Sequence, residues 1–422
     1  MAGKETSFSA PRGTRDLLPP ESAEWQAVIR RAMDLFARGG YLPVETPMFE
    51  HTEVFERGVG ATSEVVGKQM YTFTDRGDRS LTLRPEATAS VVRAVLEHRL
   101  DRGPLPVKLA YAGWMFRQER PQKGRYRQFF QLGIEAIGSD HPALDAEVIW
   151  TASAFYQDLG LETQLLLNSI GHLDDSCRLG YLAALAGYLR GHETELAEED
   201  RDRIDTNPMR TFDSKEEQTV AVMKDAPLIS GYLCEGCCTH HEEVKTYLGE
   251  LGVSYEEDPS LVRGLDYYTR TAFEFVAGNL GSQNAVGGGG RYDGLAELLD
   301  GPRVPGIGFA LGLDRIMLAL PEEARRAEPV TDVYVVALGE GATAKALALA
   351  TRLRSAGIGC DLDLVGRSMK GQMKDADRSG ARVAVILGAD EIAAGRATIK
   401  DMTTGEQTTI PLEEVEGRVR QT

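Results

Sequence analysis

Residues 109–137 read LAYAGWMFRQERPQKGRYRQFFQLGIEAI. Two apolar-rich runs, 107–119 and 127–137, flank a polar loop at 120–126, which predicts a hairpin of two long strands. Successive side chains on a strand point to opposite faces. On the return strand Phe130, Leu132, Ile134 and Ala136 then share a face that must meet a core, and Arg127, Phe129, Gln131, Gly133 and Glu135 share the other. On the outgoing strand Arg117 and Glu119 lie together, opposite Trp114 and Phe116. Charges on strands this apolar are costly unless paired or put to use. A solvated hairpin face is the plain alternative. A rigid floor holding both arginines and acids suits a zwitterionic, phosphate-bearing ligand better.

Working outward, the chain of 422 residues is too long for one core, so two or three domains are expected. It is 42% hydrophobic and 26% charged, the balance of an ordinary globular protein. No apolar run is long enough for a membrane span, and residues 1–10 have no secretory h-region. Five cysteines, three of them at Cys234, Cys237 and Cys238, make no disulfide framework and point to a reducing cytoplasm. The 47 basic and 64 acidic residues leave a net charge of −17, which argues against a non-specific nucleic-acid binder. The cations are local instead. Arg117, Arg120, Lys123, Arg125 and Arg127 crowd the hairpin, and Arg367, Lys370, Lys374, Arg378 and Arg382 crowd a second stretch.

Ahead of the hairpin, Trp25, Val28, Ile29, Ala32, Met33 and Phe36 recur at helical spacing, and Gly39-Gly40 ends that helix. Residues 41–49 read as extended and broken by two prolines. Pro85 stands where a further helix can begin, with Val91, Val92, Val95 and Leu96 as its buried stripe. Residues 171–258 are rich in charge and poor in strand signals, as expected of a helical insertion within a larger domain. A polar, proline-bounded linker spans 321–329. Beyond it strands at 332–338, 359–365 and 381–387 alternate with helices at 342–355 and 368–379, and a hairpin at 397–410 turns at Thr404-Gly405. The second helix is basic. The fold class expected is an α+β catalytic domain over 1–325, an antiparallel sheet flanked by helices and carrying the insertion, followed by an α/β domain over 331–422.

Several ordered segments carry a family resemblance. Phe116-Arg-Gln-Glu-Arg120 resembles motif 2 of class II aminoacyl-tRNA synthetases, and the loop that follows resembles the histidyl branch. Residues 308–315 are similar to motif 3, residues 40–47 to the dimer-forming motif 1, and residues 261–268 to the element that distinguishes histidyl enzymes. The resemblance runs nearly end to end, and together the segments are far more specific than any one of them.

The resemblance implies a histidine–tRNA ligase with a class II catalytic domain and an anticodon-binding C-terminal domain. Such an enzyme activates L-histidine with ATP and Mg²⁺, releases pyrophosphate, and passes histidine to the 3′ end of tRNA(His). By resemblance Arg117 and Arg263 are catalytic. ATP would meet Arg117, Glu119, Arg125 and Arg315, a use suited to guanidinium forks. Histidine would meet Glu86, Ala87, Thr88, Arg117, Gln131, Glu135, Arg263, Tyr267 and Tyr268, with Glu135 facing the imidazole. Arg120 and Lys123 would touch the tRNA acceptor end, and the basic helix at 368–379 the anticodon. The glycine-rich stretch 286–294 is similar to a substrate-pocket element and predicts a close backbone approach to a ligand. A homodimer is implied by motif 1. Ala87, Gln118 and Asp314 depart from residues usual in the family, without removing a proposed catalytic group. Two alternatives stay open: a silent histidine-sensing regulatory paralogue, and a class II synthetase for another amino acid.

Cys234-Glu-Gly-Cys-Cys-Thr-His-His241 holds zinc-ligand chemistry, through Cys234, Cys237 and His240 or His241. All those ligands come from eight residues with no second distant pair, so the expectation is a helix carrying reduced thiols and no metal.

Overall fold

The computed structural model describes residues 8–60, 63–172, 177–281, 284–325 and 331–421, which fall into two compact units, Met1–Arg326 and Ala327–Thr422. Strands of the first unit, in chain order, are β1 (Leu42–Pro43), β2 (Phe49–His51), β3 (Tyr71–Thr74), β4 (Ser80–Leu83), β5 (Val107–Phe116), β6 (Gln128–Ile137), β7 (Gln164–Ser169), β8 (Glu256–Glu257), β9 (Thr269–Val276), β10 (Ala285–Arg291) and β11 (Gly306–Gly312). Eight of them form one sheet in the order β1-β5-β6-β11-β10-β9-β7-β8. The six central strands are antiparallel, and only the two-residue edge strands β1 and β8 run parallel to their neighbours. β2, β4 and β3 make a small separate sheet.

The predicted hairpin is the β5–β6 pair, with Trp114 opposite Phe130 and Gly113 opposite Gln131. The polar ends differ from the expectation. β5 stops at Phe116, so Arg117 and Glu119 lie beyond the strand, although Arg117 N–H still bonds Arg127 O at 3.0 Å. Pro121 and the tight turn through Gln122 and Arg125 take the backbone out of the ladder there.

Both faces of the sheet are covered. On one, the helix Glu21–Arg38 lays Trp25, Val28, Ala32 and Phe36 against Leu132, Ile134 and Ala136. Trp25 stacks on Trp114 with ring centres 6.0 Å apart, and Phe130 meets Trp114 edge-on at 5.0 Å. On the other face Tyr111, Met115, Tyr267, Tyr268 and Tyr292 pack with the helices Thr88–Glu97 and Arg178–Gly191. Glu135 of β6 is therefore buried on the side of a second core and not in solvent.

The chain leaves the sheet after β7 and returns at β8, and the elements described between them are all helices, the longest being Arg178–Gly191 and Glu235–Glu250. The insertion was legible as charge-rich and strand-poor. Strand β7 just before it, six residues long, is too short to stand out in the sequence. The helix expected after Pro85 begins at Thr88. The side chain of Glu86 accepts from the N–H groups of Thr88 (2.7 Å) and Ala89 (2.9 Å), filling donors the first turn leaves open.

In the second unit the strands are β12 (Val333–Ala337), β13 (Cys360–Leu362), β14 (Val383–Leu387), β15 (Arg396–Asp401) and β16 (Gln407–Pro411), in the order β13-β12-β14-β15-β16. β13, β12 and β14 are parallel and the β15–β16 hairpin closes one edge. The helix Ala342–Ser355 buries Ala346, Leu349, Ala350 and Leu353 on this sheet. The basic helix runs Met369–Arg378, capped by the Ser368 hydroxyl, with Lys370 and Lys374 exposed. Arg367 and Arg378 are instead tied to Asp375.

Candidate active site

A cleft of about 800 Å³ opens over the strand face opposite the Trp25 core. Arg117, Glu119, Arg125, Gln131, Arg263, Tyr268 and Arg315 line it. Glu86, Ala87, Thr88, Glu135 and Tyr267 are buried and lie outside that lining, joined to it through hydrogen bonds and ring contacts. Arg120 and Lys123 are exposed and lie off the cleft.

The deep end is a closed polar network. Thr88 Oγ1 donates to Glu135 Oε1 at 2.7 Å and Tyr292 Oη to Glu135 Oε2 at 2.5 Å. Tyr267 Oη reaches Glu86 at 3.4 Å, and the rings of Tyr267 and Tyr268 lie 4.7 Å apart. Burial pushes the Glu135 carboxyl up to about 8 against the bonds from Thr88 and Tyr292, with the Glu86 charge adding to the rise. Burial likewise raises Glu86, opposed by the N–H groups of Ala89 and Thr88. Gln131 Oε1 is buried and has no hydrogen-bond partner among the described residues. A buried amide oxygen left this way calls for a ligand or water.

The open end is cationic. Arg117 Nε donates to Pro85 O at 2.9 Å, and its guanidinium lies over Phe129 at 5.2 Å. Burial lowers its pKa, with Glu119 and Glu86 opposing. Arg263 Nη1 donates to Glu274 Oε2 at 2.5 Å and packs over Tyr268 at 5.8 Å, while its Nε has no partner among the described residues. Arg125 meets Glu119 at 3.6 Å. Arg315 lies at the start of the helix Leu313–Ala319, its pKa lowered by burial and then by Arg125. The guanidiniums of Arg117, Arg125, Arg263 and Arg315 around one cleft make a site for a polyanion beside a carboxylate-lined pocket.

The glycine run lies within the sheet, paired with β11 on one side and β9 on the other. A Cβ on Gly288 would come within 2.9 Å of Arg263 Nη1, and one on Gly290 within 2.9 Å of Tyr268 Cδ1. Nearer still is neighbouring backbone, Phe273 O at 2.6 Å from the first and Thr271 O at 2.5 Å from the second, so the run lets strands, Arg263 and Tyr268 all pack closely.

Sequence reasoning missed Tyr292 and Glu274 as site residues. Glu274 carried a signal, since it is a charge on the face of β9 opposite the core residues Phe273 and Phe275. Tyr292 lies in the stretch 286–294 that resembles a pocket element, but only the register of β10 beside β11 brings it to Glu135. The metal candidates are corrected. His240 Nε2 is committed to Asp145 at 2.8 Å, where Arg291 and Thr271 also bind, and His241 meets Glu257 at 3.3 Å. Neither joins the cysteines. A distant pair does exist: His172 and Cys177 approach Cys234 and Cys237.

An antiparallel sheet whose second face holds this arginine-and-carboxylate cleft is the catalytic fold of class II aminoacyl-tRNA synthetases. The family model described as Histidyl-tRNA synthetase matches residues 13–316, and the one described as Anticodon binding domain matches residues 332–422. The chain is 50% identical over 419 residues to the histidine–tRNA ligase of Saccharopolyspora erythraea, covering 99% of each, and 49% identical over 407 residues to that of Halothermothrix orenii, covering 96% of each. It matches the crystal structure of apo Staphylococcus aureus histidyl-tRNA synthetase at 41% identity and a TM-score of 0.82, over 98% of this chain and 100% of that one. The chain belongs to the histidyl-tRNA synthetase family and is an enzyme of the aminoacyl-tRNA synthetase type.

Proposed function

We propose a residue-level reading of histidine–tRNA ligation at this cleft. The histidine carboxylate attacks the α-phosphorus of ATP in line and pyrophosphate departs. The terminal ribose hydroxyl of tRNA then attacks the histidyl-adenylate carbonyl, and AMP departs. Arg117 and Arg263 flank the α-phosphate and take up charge as it shifts between oxygens. Arg315 holds the distal phosphates, Glu119 and Arg125 the adenine side. Glu86 and Thr88, with Ala87 between them, face the substrate ammonium, aided by the unpartnered Oε1 of Gln131. Glu135 pairs with an imidazole nitrogen, and Tyr267 and Tyr268 bound the pocket. A buried polar group that only imidazole can satisfy rejects amino acids lacking it. The observation that carries this reading is the cleft lined by Arg117, Arg263 and Arg315, with the buried Glu135 network behind it, joined to its wall through Tyr267 and Tyr268.

Glu274, held beside Arg263, adds a carboxylate to the phosphate end of the cleft, which fits a Mg²⁺ arriving on the triphosphate and taking one or two protein carboxylates. When bound, the ion neutralises phosphate charge. Arg120 and Lys123 on the exposed loop would meet the acceptor end of tRNA(His), and Lys370 and Lys374 its anticodon. A homodimer through the motif 1 region is supported by Leu42 and Phe49, both more than half exposed, and by Phe73, whose ring lies 6.2 Å from that of Phe49. Five free thiols fit a cytoplasmic setting, and no helix among the described residues is long and apolar enough to cross a membrane.

ATP–pyrophosphate exchange measured across the twenty amino acids tests the reading. Exchange should depend on histidine; exchange supported by a different amino acid, or none with histidine, would overturn it.

A further inference from the structure

Outside the cleft, four metal-type donors converge at the neck of the helical insertion. Nδ1 of His172 lies 3.0 Å from Cys237 Sγ and 3.7 Å from Cys234 Sγ. With Cys177 Sγ, the donor atoms of all four residues lie within 4.8 Å of one another. The donors come from two places. His172 and Cys177 stand where the chain leaves β7, and Cys234 and Cys237 form a C-x-x-C at the start of the helix Glu235–Glu250, with Cys234 as its cap. Cys177 and Cys237 are buried, and His172 and Cys234 half-buried. The backbone is shaped to the cluster: Gly171 has φ +64°, and a Cβ there would sit 2.6 Å from Cys177 Sγ.

We propose that His172, Cys177, Cys234 and Cys237 bind one Zn²⁺ in a closed tetrahedral Cys₃His site that fastens the two ends of the insertion together. Three sulfurs and one imidazole nitrogen are a donor set of structural zinc, with Zn–S about 2.3 Å and Zn–N about 2.0 Å. Sulfurs at such corners are roughly 3.8 Å apart, so the observed spread closes on an ion by side-chain movement of about 1 Å. Soft thiolates favour zinc over the hard Mg²⁺ that accompanies ATP. The fourth corner is filled by protein, which leaves no open position for chemistry. The remaining nearby candidates are turned elsewhere, since Cys238 is exposed and His240 is bound to Asp145. The site also has a route to the cleft: Arg178, next to Cys177, donates through Nη1 to Tyr268 O at 2.7 Å. This inference stands apart from the assignment of the reaction.

The test is metal analysis of the full-length protein, purified without chelators or an immobilised-metal column. One zinc per chain is expected, with an absorption-edge spectrum of three sulfurs and one nitrogen. Cys177→Ser and Cys237→Ser should each lower zinc content at least tenfold, while Cys238→Ser keeps it. Should those serine variants not fold, titrating the wild-type protein with a mercurial should release one zinc per chain. Less than a tenth of an equivalent in the wild type, an oxygen-dominated spectrum, or two thiols missing from the five under denaturing, non-reducing conditions would overturn the site.

Discussion

The hydroxyl of Tyr292 donates to Glu135 Oε2 at 2.5 Å, and Thr88 holds the other carboxylate oxygen, so Glu135 is fixed before any substrate arrives. Tyr292→Phe removes one of the two bonds and leaves the ring in place. Losing a hydrogen bond to a buried charged or polar partner costs about 1–3 kcal/mol, or roughly 5- to 150-fold. The KM for histidine in pyrophosphate exchange should rise by that factor with the KM for ATP little changed. An equal rise in both would count against a histidine-specific role.

Glu135 also sets a pH dependence. Its carboxyl is pushed from 4.5 up to about 8, chiefly by burial. Between those values the native state holds a proton that the unfolded chain has released, so stability falls as pH rises through the window and levels off above it. Urea midpoints of the ligand-free protein should therefore decline from about pH 5 to about pH 8, and Glu135→Gln should flatten the decline. Parallel curves for the two proteins would remove Glu135 as the cause.

Arg263 is clamped by Glu274 and stacked on Tyr268. Arg263→Ala should reduce exchange by about 100-fold or more, the loss typical when a group stabilising developing charge is removed. Histidine binding by calorimetry should survive. Near-normal exchange would take Arg263 out of the chemical step.

Asp145 and Arg291 are both fully buried and paired, with His240 and Thr271 on the same carboxylate. Arg291 and His240 hold the Asp145 carboxyl below its usual range despite burial. Asp145→Asn removes the carboxylate that Nε and Nη2 of the buried Arg291 bind, leaving it only Asp293 and Ser139 O on Nη1; breaking a buried pair costs up to about 3–5 kcal/mol. Chemical denaturation should register that loss; a change under about 1 kcal/mol would mean the pair is dispensable.

Much of this was legible in residues whose period is local. The alternation in 127–137 separates a helix-facing side from the side that carries Gln131 and Glu135, and the helices at 21–38 and 342–355 follow from the spacing of their apolar residues. The residue-level roles came from the resemblance, since no local pattern tells Glu86 from an ordinary first-turn acid; in the fold it binds the first-turn N–H groups as well. What stayed hidden depends on contacts between distant segments. Tyr292 reaches Glu135 across 157 residues, and His172 reaches Cys237 across 65. The C-x-x-C was visible, but its partners lie on the far side of an insertion whose path no periodicity encodes.

The insertion leaves and rejoins the sheet on neighbouring strands, with Leu166 beside Glu256. Its ends are thus fixed a strand's width apart, however long the excursion between them. The entropy of closing such a loop grows only with the logarithm of its length. Evolution could lengthen, shorten or redecorate the excursion while the register of the catalytic floor stayed untouched, which makes this segment the cheapest place in the fold to acquire new contacts.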